Sequence, residues 1–477
     1  MSIKNIVRAL ALVLMVFAFS ACKSLSRTNK EANTTAPNNF FGVEDTTNSA
    51  AVNWNTFFTD PYLTAIIDSA LSNNQELNII LQEIEMSKNE VSAKKGEYLP
   101  SLSLGVGADV EKVGRYTSQG ANDANTDIEP GREMPDPLGN LMVGAYGEWE
   151  IDIWKKLRNA KKSAMLKYLS SMEGRNFMVT HLVGEISMAY YELLALDNQL
   201  AIVQQNLEVQ SQALEIVKLQ KESAKVTELA VKRFEAEVLK NSSKIFYIKQ
   251  EIVEMESEIC FLMGVYPRRI ARAVDGLMSV NSFDVDYGVP SQLLKNRPDI
   301  KQAELELEAS KLDVKVARAR FYPSLKISAG IGLEAFNPTF LIKSPQSLLY
   351  TLAGELMAPL LNRKAIKAVY YNASAKQIQA VYNYEQTILK AYVEVYNQIS
   401  KMDNLEMSFM LQDKQVEVLD TSIVISNDLF SSARADYMEV LLTQREALQS
   451  KLELVETRQK QFHNTIMLYQ SLGGGWK

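Results

Sequence analysis

The chain has 477 residues, 47% of them hydrophobic and 23% charged, with a formal net charge of −6. At about 150 residues per domain this is roughly three domains' worth of sequence, and the composition excludes wholesale disorder. Two His and two Cys leave no zinc-type cluster and little scope for His-based catalysis, and an acidic chain has no nucleic-acid footprint. Gly (21) and Pro (13) are scarce, which favours long uninterrupted helices.

The N-terminus reads as an export signal. Lys4 and Arg8 precede an apolar run from Ala9 to Phe19, too short to span a ~30 Å hydrocarbon core as a helix. The run ends Phe19-Ser20-Ala21-Cys22, which resembles a bacterial lipobox, although Leu is commoner where Phe19 stands. The resemblance implies cleavage after residue 21 and lipid on Cys22; the alternative is an ordinary secretory peptide with an incidental Cys. Lipidation leaves Cys260 with no partner, so no disulfide is expected. Residues 22–51, rich in Lys, Asn, Thr, Ser and Ala, read as a flexible tether.

The remainder is written twice, as residues 52–264 and 291–476 joined by a linker at 265–290. Tyr98-Leu99-Pro100-Ser101-Leu102 is echoed 223 residues later by Phe321-Tyr322-Pro323-Ser324-Leu325. Further on the offset becomes 209: Ala224-Lys225-Val226 against Ala433-Arg434-Ala435, and Leu262-Met263-Gly264 against Ser471-Leu472-Gly473. Two offsets, each supported twice, predict an internal duplication with one variable loop.

Strict alternation follows each proline. Leu102, Leu104, Val106, Ala108 and Val110 alternate with small or acidic residues, and Leu325, Ile327, Ala329, Ile331 and Leu333 with Lys326, Ser328, Gly330, Gly332 and Glu334. Together with downstream partners this predicts strands at about 101–112, 141–153, 324–335 and 348–358. One apolar and one polar face over about ten residues suits a transmembrane barrel, although a soluble half-buried sheet has the same period. The polar face would line the channel with Asp109, Glu111, Glu148, Glu150, Asp152, Lys326, Glu334 and Glu355. The Gly-x-Gly pairs at 105/107 and 330/332 lie inside the alternation, so they are strand glycines and not a nucleotide loop. Residues 112–140 and 336–346 read as exposed loops.

Helix formers then dominate, and helices are expected at about 155–222, 226–262, 363–430 and 435–472. The first is ~100 Å long at 1.5 Å per residue. A coiled-coil spacer would account for the helices but not for the strands attached to them. Four strands cannot close a membrane barrel and open edges are not tolerated in lipid, so other copies must complete it. Two copies give eight strands and three give twelve, and only the larger leaves an obvious channel.

At this point the chain resembles the TolC-type outer-membrane efflux proteins, lipoprotein branch. The features carrying the resemblance are Cys22, Arg297-Pro298-Asp299-Ile300, Tyr98-Leu99-Pro100 with its echo, and Leu472-Gly473-Gly474-Gly475-Trp476. It implies a mainly α chain whose four strands per protomer complete a trimeric 12-stranded β-barrel, continued by a long periplasmic α-helical barrel. It also implies a Gram-negative outer-membrane location and an exit duct with no enzymatic activity, cofactor or metal. The partners it implies are two further copies, outer-membrane lipid, a periplasmic adaptor and a proton-driven inner-membrane pump. Adaptor contacts fall on Ala224, Lys225, Val226, Thr227, Ala433, Arg434 and Ala435. The periplasmic aperture falls on Asp436, Tyr437 and Glu439, with Leu442 where the family places a second acid and Arg434 and Asp436 as closing contacts.

Three rival functions remain at this level. One is the exit duct of a type I secretion system for polypeptides. Another is a coiled-coil lipoprotein without a pore. A third is a surface hydrolase using an acid pair such as Glu148 and Glu150, which lie side by side on one strand face. Eighteen scattered Met give no reason to infer copper or silver handling.

Overall fold

The computed structural model describes residues 30–42, 46–273, 277–279, 285–361, 363–432 and 434–477. The signal segment, Cys22 and Ala433 lie outside them. The first repeat opens with α1 (Pro61–Asn73) and α2 (Gln75–Tyr98). Asp60 caps α1 by accepting the Tyr62 N–H at 2.8 Å, with Pro61 in the first turn, where its missing N–H costs nothing. Asn74 caps α2 through the Leu77 N–H at 2.9 Å. α2 stops before Pro100, because proline turns the preceding residue away from helical backbone. The chain then enters β1 (Ser101–Glu111), and after a long connection β2 (Leu138–Ile151). β2 starts earlier than the alternation alone suggested, directly after Pro137. The connection is not a bare loop: it holds a helical turn at Ser118–Asp123 and a small hairpin, Asp127–Glu129 with Arg132–Glu133.

Two helices complete this repeat: α3 (Lys156–Glu222), 67 residues or ~100 Å long, and α4 (Glu228–Leu262), which returns along it. The second repeat runs α5 (Pro298–Ala319), β3 (Ser324–Ala335), β4 (Leu348–Met357), α6 (Lys364–Ser431) and α7 (Tyr437–Ser471). Its strand connection contains a helical turn at Pro338–Leu341. The strands form one antiparallel sheet in the order β1-β2-β3-β4, so β1 and β4 are open edges.

The two offsets return as geometry. At the far tips, the Lys225 N–H donates to the Gln220 carbonyl at 2.9 Å and the Arg434 N–H to Leu429 at 2.8 Å. At the other ends of α4 and α7, Val265 donates to Cys260 at 2.9 Å and Gly474 to Tyr469 at 3.0 Å. Gly264 and Gly473 have φ of +70° and +95°. A Cβ on them would lie 2.5 Å from the Asn73 carbonyl oxygen and 2.6 Å from that of Asn296, so only glycine fits.

The main core lies where all the long helices meet between sheet and tips. Tyr191 stacks on Phe462 with centroids 4.6 Å apart, and Phe57 on Tyr469 at 4.0 Å. Smaller clusters continue toward the tips: Val203, Ile248 and Leu452, then Val217, Phe234 and Leu441. Cys260 is a buried free thiol. The described parts of the linker are held down, with Arg272 ion-paired to Asp197 on α3 and Glu256 on α4, and Ile270, Leu277 and Val285 in the core.

The tether reading needs correction over residues 30–42, which lie along α6. Phe40 is fully buried and stacks on Tyr392 at 5.3 Å, while Phe41 stacks on Tyr396 at 4.2 Å. Lys30 pairs with Glu385 at 3.0 Å and sits 3.6 Å from the centre of the Tyr382 ring. The polar composition suggested a free segment, but two aromatic anchors and one ion pair dock it.

Candidate functional site

Cross-strand partners share a sheet face, so the register sorts the side chains. Leu104, Ala145, Ile331 and Tyr350 form one row, and Val106, Val143, Leu333 and Leu348 another. This apolar face is uncovered: Leu104 is 87% and Leu352 78% exposed. So broad an apolar surface is unfavourable in water and fits hydrocarbon. Among the described residues no helix is long and apolar enough to cross a membrane.

Aromatic residues mark the edges of the face. At its helix end the Trp149 indole donates to the Tyr98 carbonyl at 3.2 Å and the Trp154 indole to Pro323 at 2.7 Å. Trp154 also stacks on Tyr322 at 4.7 Å. Tyr350 lies toward the loop end. An apolar body with a satisfied polar handle is what the boundary between hydrocarbon and water selects. Alternation puts Trp149 on the apolar face; the boundary role of both tryptophans is signalled by their position at the end of that strand.

The opposite face carries the predicted polar residues. Asp109 and Glu111 pair in register with Asn140 and Leu138 near the loop end, and Glu334 accepts the Asn140 amide at 2.6 Å. Ser101, Glu148 and Ser328 form a middle row. At the helix end Glu150, Lys326 and Glu355 stand in one row across three strands, with Glu150 also paired to Lys156. Lys326 between two carboxylates neutralises part of that row.

Asp152 departs from the expectation. It follows the last residue of β2 and is buried, 9% exposed. Its carboxylate accepts the backbone N–H groups of Leu157 at 3.1 Å and Arg158 at 2.9 Å, and pairs with the Arg158 guanidinium at 3.1 Å. Burial alone pushes this carboxyl up; those two N–H donors and the guanidinium outweigh it and hold the group below the ordinary carboxylate range. Asp152 therefore fixes the start of α3, where an anion meets unpaired N–H groups. Alternation carried it onto the polar face, but the strand had already ended.

At the tips, Ala224 adopts φ of +54°, and Lys221 pairs with Glu228 across the turn. Ala224, Lys225 and Thr227 are exposed, and Val226 is half-buried against the tip cluster. Arg434 is exposed and Ala435 half-buried. Asp436 and Glu439 are exposed, with Asp436 at the N-terminal cap of α7, whereas the Tyr437 ring packs on the Val217 and Phe234 cluster. Among the described residues no ion pair joins Arg434 to Asp436 or engages Glu439. The structure thus gathers the polar strand residues on one face and the turn residues at the other end of the molecule.

Residues 66–265 and 289–474 match the model of the outer membrane efflux protein family. The pyoverdine export outer membrane protein OpmQ of Pseudomonas aeruginosa is 25% identical over 424 residues, covering 89% of this chain and 87% of that protein. The probable outer membrane lipoprotein SilC of Salmonella typhimurium is 23% identical, with 97% of both chains covered. Among solved structures, CusC superposes with a TM-score of 0.81 at 22% identity, over 94% of this chain and all of that one. One matched segment falls in each half of the chain, and the chain belongs to the outer membrane efflux protein family.

Proposed function

We propose that the protein is a passive exit duct of a tripartite efflux pump. Three copies close a twelve-stranded barrel in the outer membrane, and their paired helices continue it as a tunnel through the periplasm. One observation carries this reading: an uncovered apolar sheet face with two open edges runs directly into two ~100 Å helices. Edges facing lipid must be paired, and β4 of one copy meeting β1 of the next pairs all of them.

The family likeness supports the rest of the assembly. The tips, from Ala224 to Thr227 and from Ala433 to Ala435, meet a periplasmic adaptor, which joins the duct to a proton-driven inner-membrane pump. Glu439, with Asp436 and Tyr437 beside it, lies at the resting aperture. Cys22 carries lipid, and the docked arm brings it to the membrane. The Lys30 carbonyl accepts the Gln377 amide at 3.1 Å, ~20 Å along α6 from its start. The chain from Lys30 back to Cys22 spans up to ~28 Å when extended, enough to return to the sheet. The match to SilC, covering nearly the whole chain, supports the lipoprotein reading. Relatives include a pyoverdine export protein, a cation efflux protein and a toluene efflux protein. Among the described residues no group of His, Cys, Asp or Glu is arranged to hold a metal ion.

Conductance tests the proposal. The full chain in a planar bilayer should form a pore whose reversal potential in a KCl gradient shows cation preference. The cause is Asp109, Glu111, Glu148 and Glu334 on the polar face. Absence of any pore sinks the duct; anion preference sinks the assignment of the lining.

A further inference from the structure

One side chain on the polar sheet face does not stand as strand side chains do. Strand side chains rise roughly perpendicular to the sheet, yet the Tyr146 ring lies flat on it. Its hydroxyl donates to the Met142 sulfur at 3.0 Å, four residues back along the same strand. The ring is flanked on both sides by glycines of neighbouring strands. A Cβ at Gly105 of β1 would lie 3.2 Å from ring atom Cε2, and one at Gly330 of β3 would lie 3.0 Å from Cδ1 and 2.9 Å from the Thr351 hydroxyl oxygen. A Cβ at Gly144, beneath the tip of the ring, would lie 3.0 Å from the hydroxyl oxygen. Three absent side chains make the bed on which the tyrosine lies.

We propose that Tyr146 and this bed keep the barrel open to bulky solutes at their level: the ring lies down to keep the bore wide, and lifting it narrows the passage. The proposal rests on the trimeric duct. Twelve strands ~4.8 Å apart and tilted ~40° enclose a backbone radius of about 12 Å. Three upright tyrosines at one level would take much of that width, whereas three flat ones take little. With methyl groups at both Gly105 and Gly330 the ring cannot slide sideways, because relief on one side is contact on the other. Its remaining way out is toward the axis.

The test reads passage from outside and does not depend on the periplasmic aperture. Ser328 is on the polar face, two residues nearer the helix end than Gly330. A Ser328→Cys chain on intact cells is labelled with a small and with a bulky maleimide; Cys260 is buried and Cys22 carries lipid in the proposed protein. Gly105→Ala with Gly330→Ala should slow the bulky reagent severalfold and leave the small one unchanged. Adding Tyr146→Ala should restore the bulky rate. Should the double variant not assemble, Gly105→Ala alone, whose methyl touches only the ring, should give the same order with smaller amplitude. Equal bulky rates with and without the alanines overturn the proposal, as does slowing that Tyr146→Ala does not relieve. No labelling of Ser328→Cys by either reagent, with the glycines intact, instead refutes the water-filled duct.

Discussion

Asn74 and Arg297 stand at the same point of the two repeats and solve one backbone problem with different chemistry. Each donates to the last carbonyl of its repeat's returning helix: Asn74 Nδ2 to Leu262 at 2.9 Å, and Arg297 Nη1 to Ser471 at 2.9 Å. Asn74 is neutral and also caps α2. Arg297 instead gathers two carboxylates, Asp299 at 2.7 Å and Glu394 at 2.8 Å, in a site that leaves its side chain 6% exposed. The matching acids of the first repeat, Glu76 and Glu185, are exposed and need no partner. The two halves share the hydrogen bond, while burial decides whether a charge cluster accompanies it.

The largest expected effect tests that difference. Arg297→Ala strands a carbonyl and two carboxylates in a crowded site and should cost about 3–5 kcal/mol. Asn74→Ala loses one cap and one hydrogen bond, about 1–2 kcal/mol. Denaturant unfolding of each variant in detergent measures both. Equal losses would show that the carboxylates around Arg297 contribute nothing beyond the shared hydrogen bond.

How far the sequence reached follows the same physics. Period-2 alternation marked the strands because hydrocarbon and water differ on two faces, and the register keeps Leu104, Ala145 and Ile331 together as that period requires. The scarcity of Gly and Pro marked the helices, with α3 ending at Glu222 as expected. Three features were not legible because they depend on distant partners. Asp152 looked like one more polar strand residue until α3 supplied its N–H donors. Residues 30–42 looked free because Tyr392 and Tyr396, which hold Phe40 and Phe41, lie some 350 positions away. The glycines at 105 and 330 were placed correctly inside strands, but their use as a bed for Tyr146 needs three strands side by side. The tip and aperture assignments rest on resemblance; among the described residues Arg434, Asp436 and Glu439 are exposed and Tyr437 is packed at the turn.

The left-handed turn positions sharpen the comparison along each repeat. At the core end these positions are glycines that a Cβ would drive into backbone. At the tip, Ala224 adopts φ of +54° in an exposed turn, so its cost is intrinsic backbone strain alone. Ala224→Gly should therefore stabilise the tip by about 0.5–1 kcal/mol. Amide exchange at Lys225, which closes the turn, should slow accordingly. Faster exchange would mean that contacts of the Ala224 methyl outweigh its backbone strain.

The smallest effect concerns His463 on α7, whose counterpart on α4 is the exposed Glu254. His463 donates through Nε2 to the Met188 carbonyl at 3.0 Å, which fixes the neutral tautomer with its proton there. Burial pushes its pKa down, the Met188 carbonyl pulls it partly back, and the positive charge of Lys401 lowers it again, leaving it below the ordinary value of 6.5. In the unfolded chain the imidazole takes up a proton near that ordinary value, while in the folded chain it does so only at lower pH. Above both values neither state is charged and the residue contributes nothing to pH dependence. As pH falls through 6.5 the unfolded state binds the extra proton, so stability drops until the folded group also titrates, and then levels. Other groups titrate in acid too, so the informative quantity is a difference between variants. His463→Gln keeps a donor for Met188 and cannot titrate, so unfolding at about pH 7.5 and about pH 5.5 should show a smaller acid loss than in the parent chain. An equal or larger acid loss in the Gln variant would mean that the folded protein protonates His463 at least as readily as the unfolded chain does, contrary to the lowering that burial imposes.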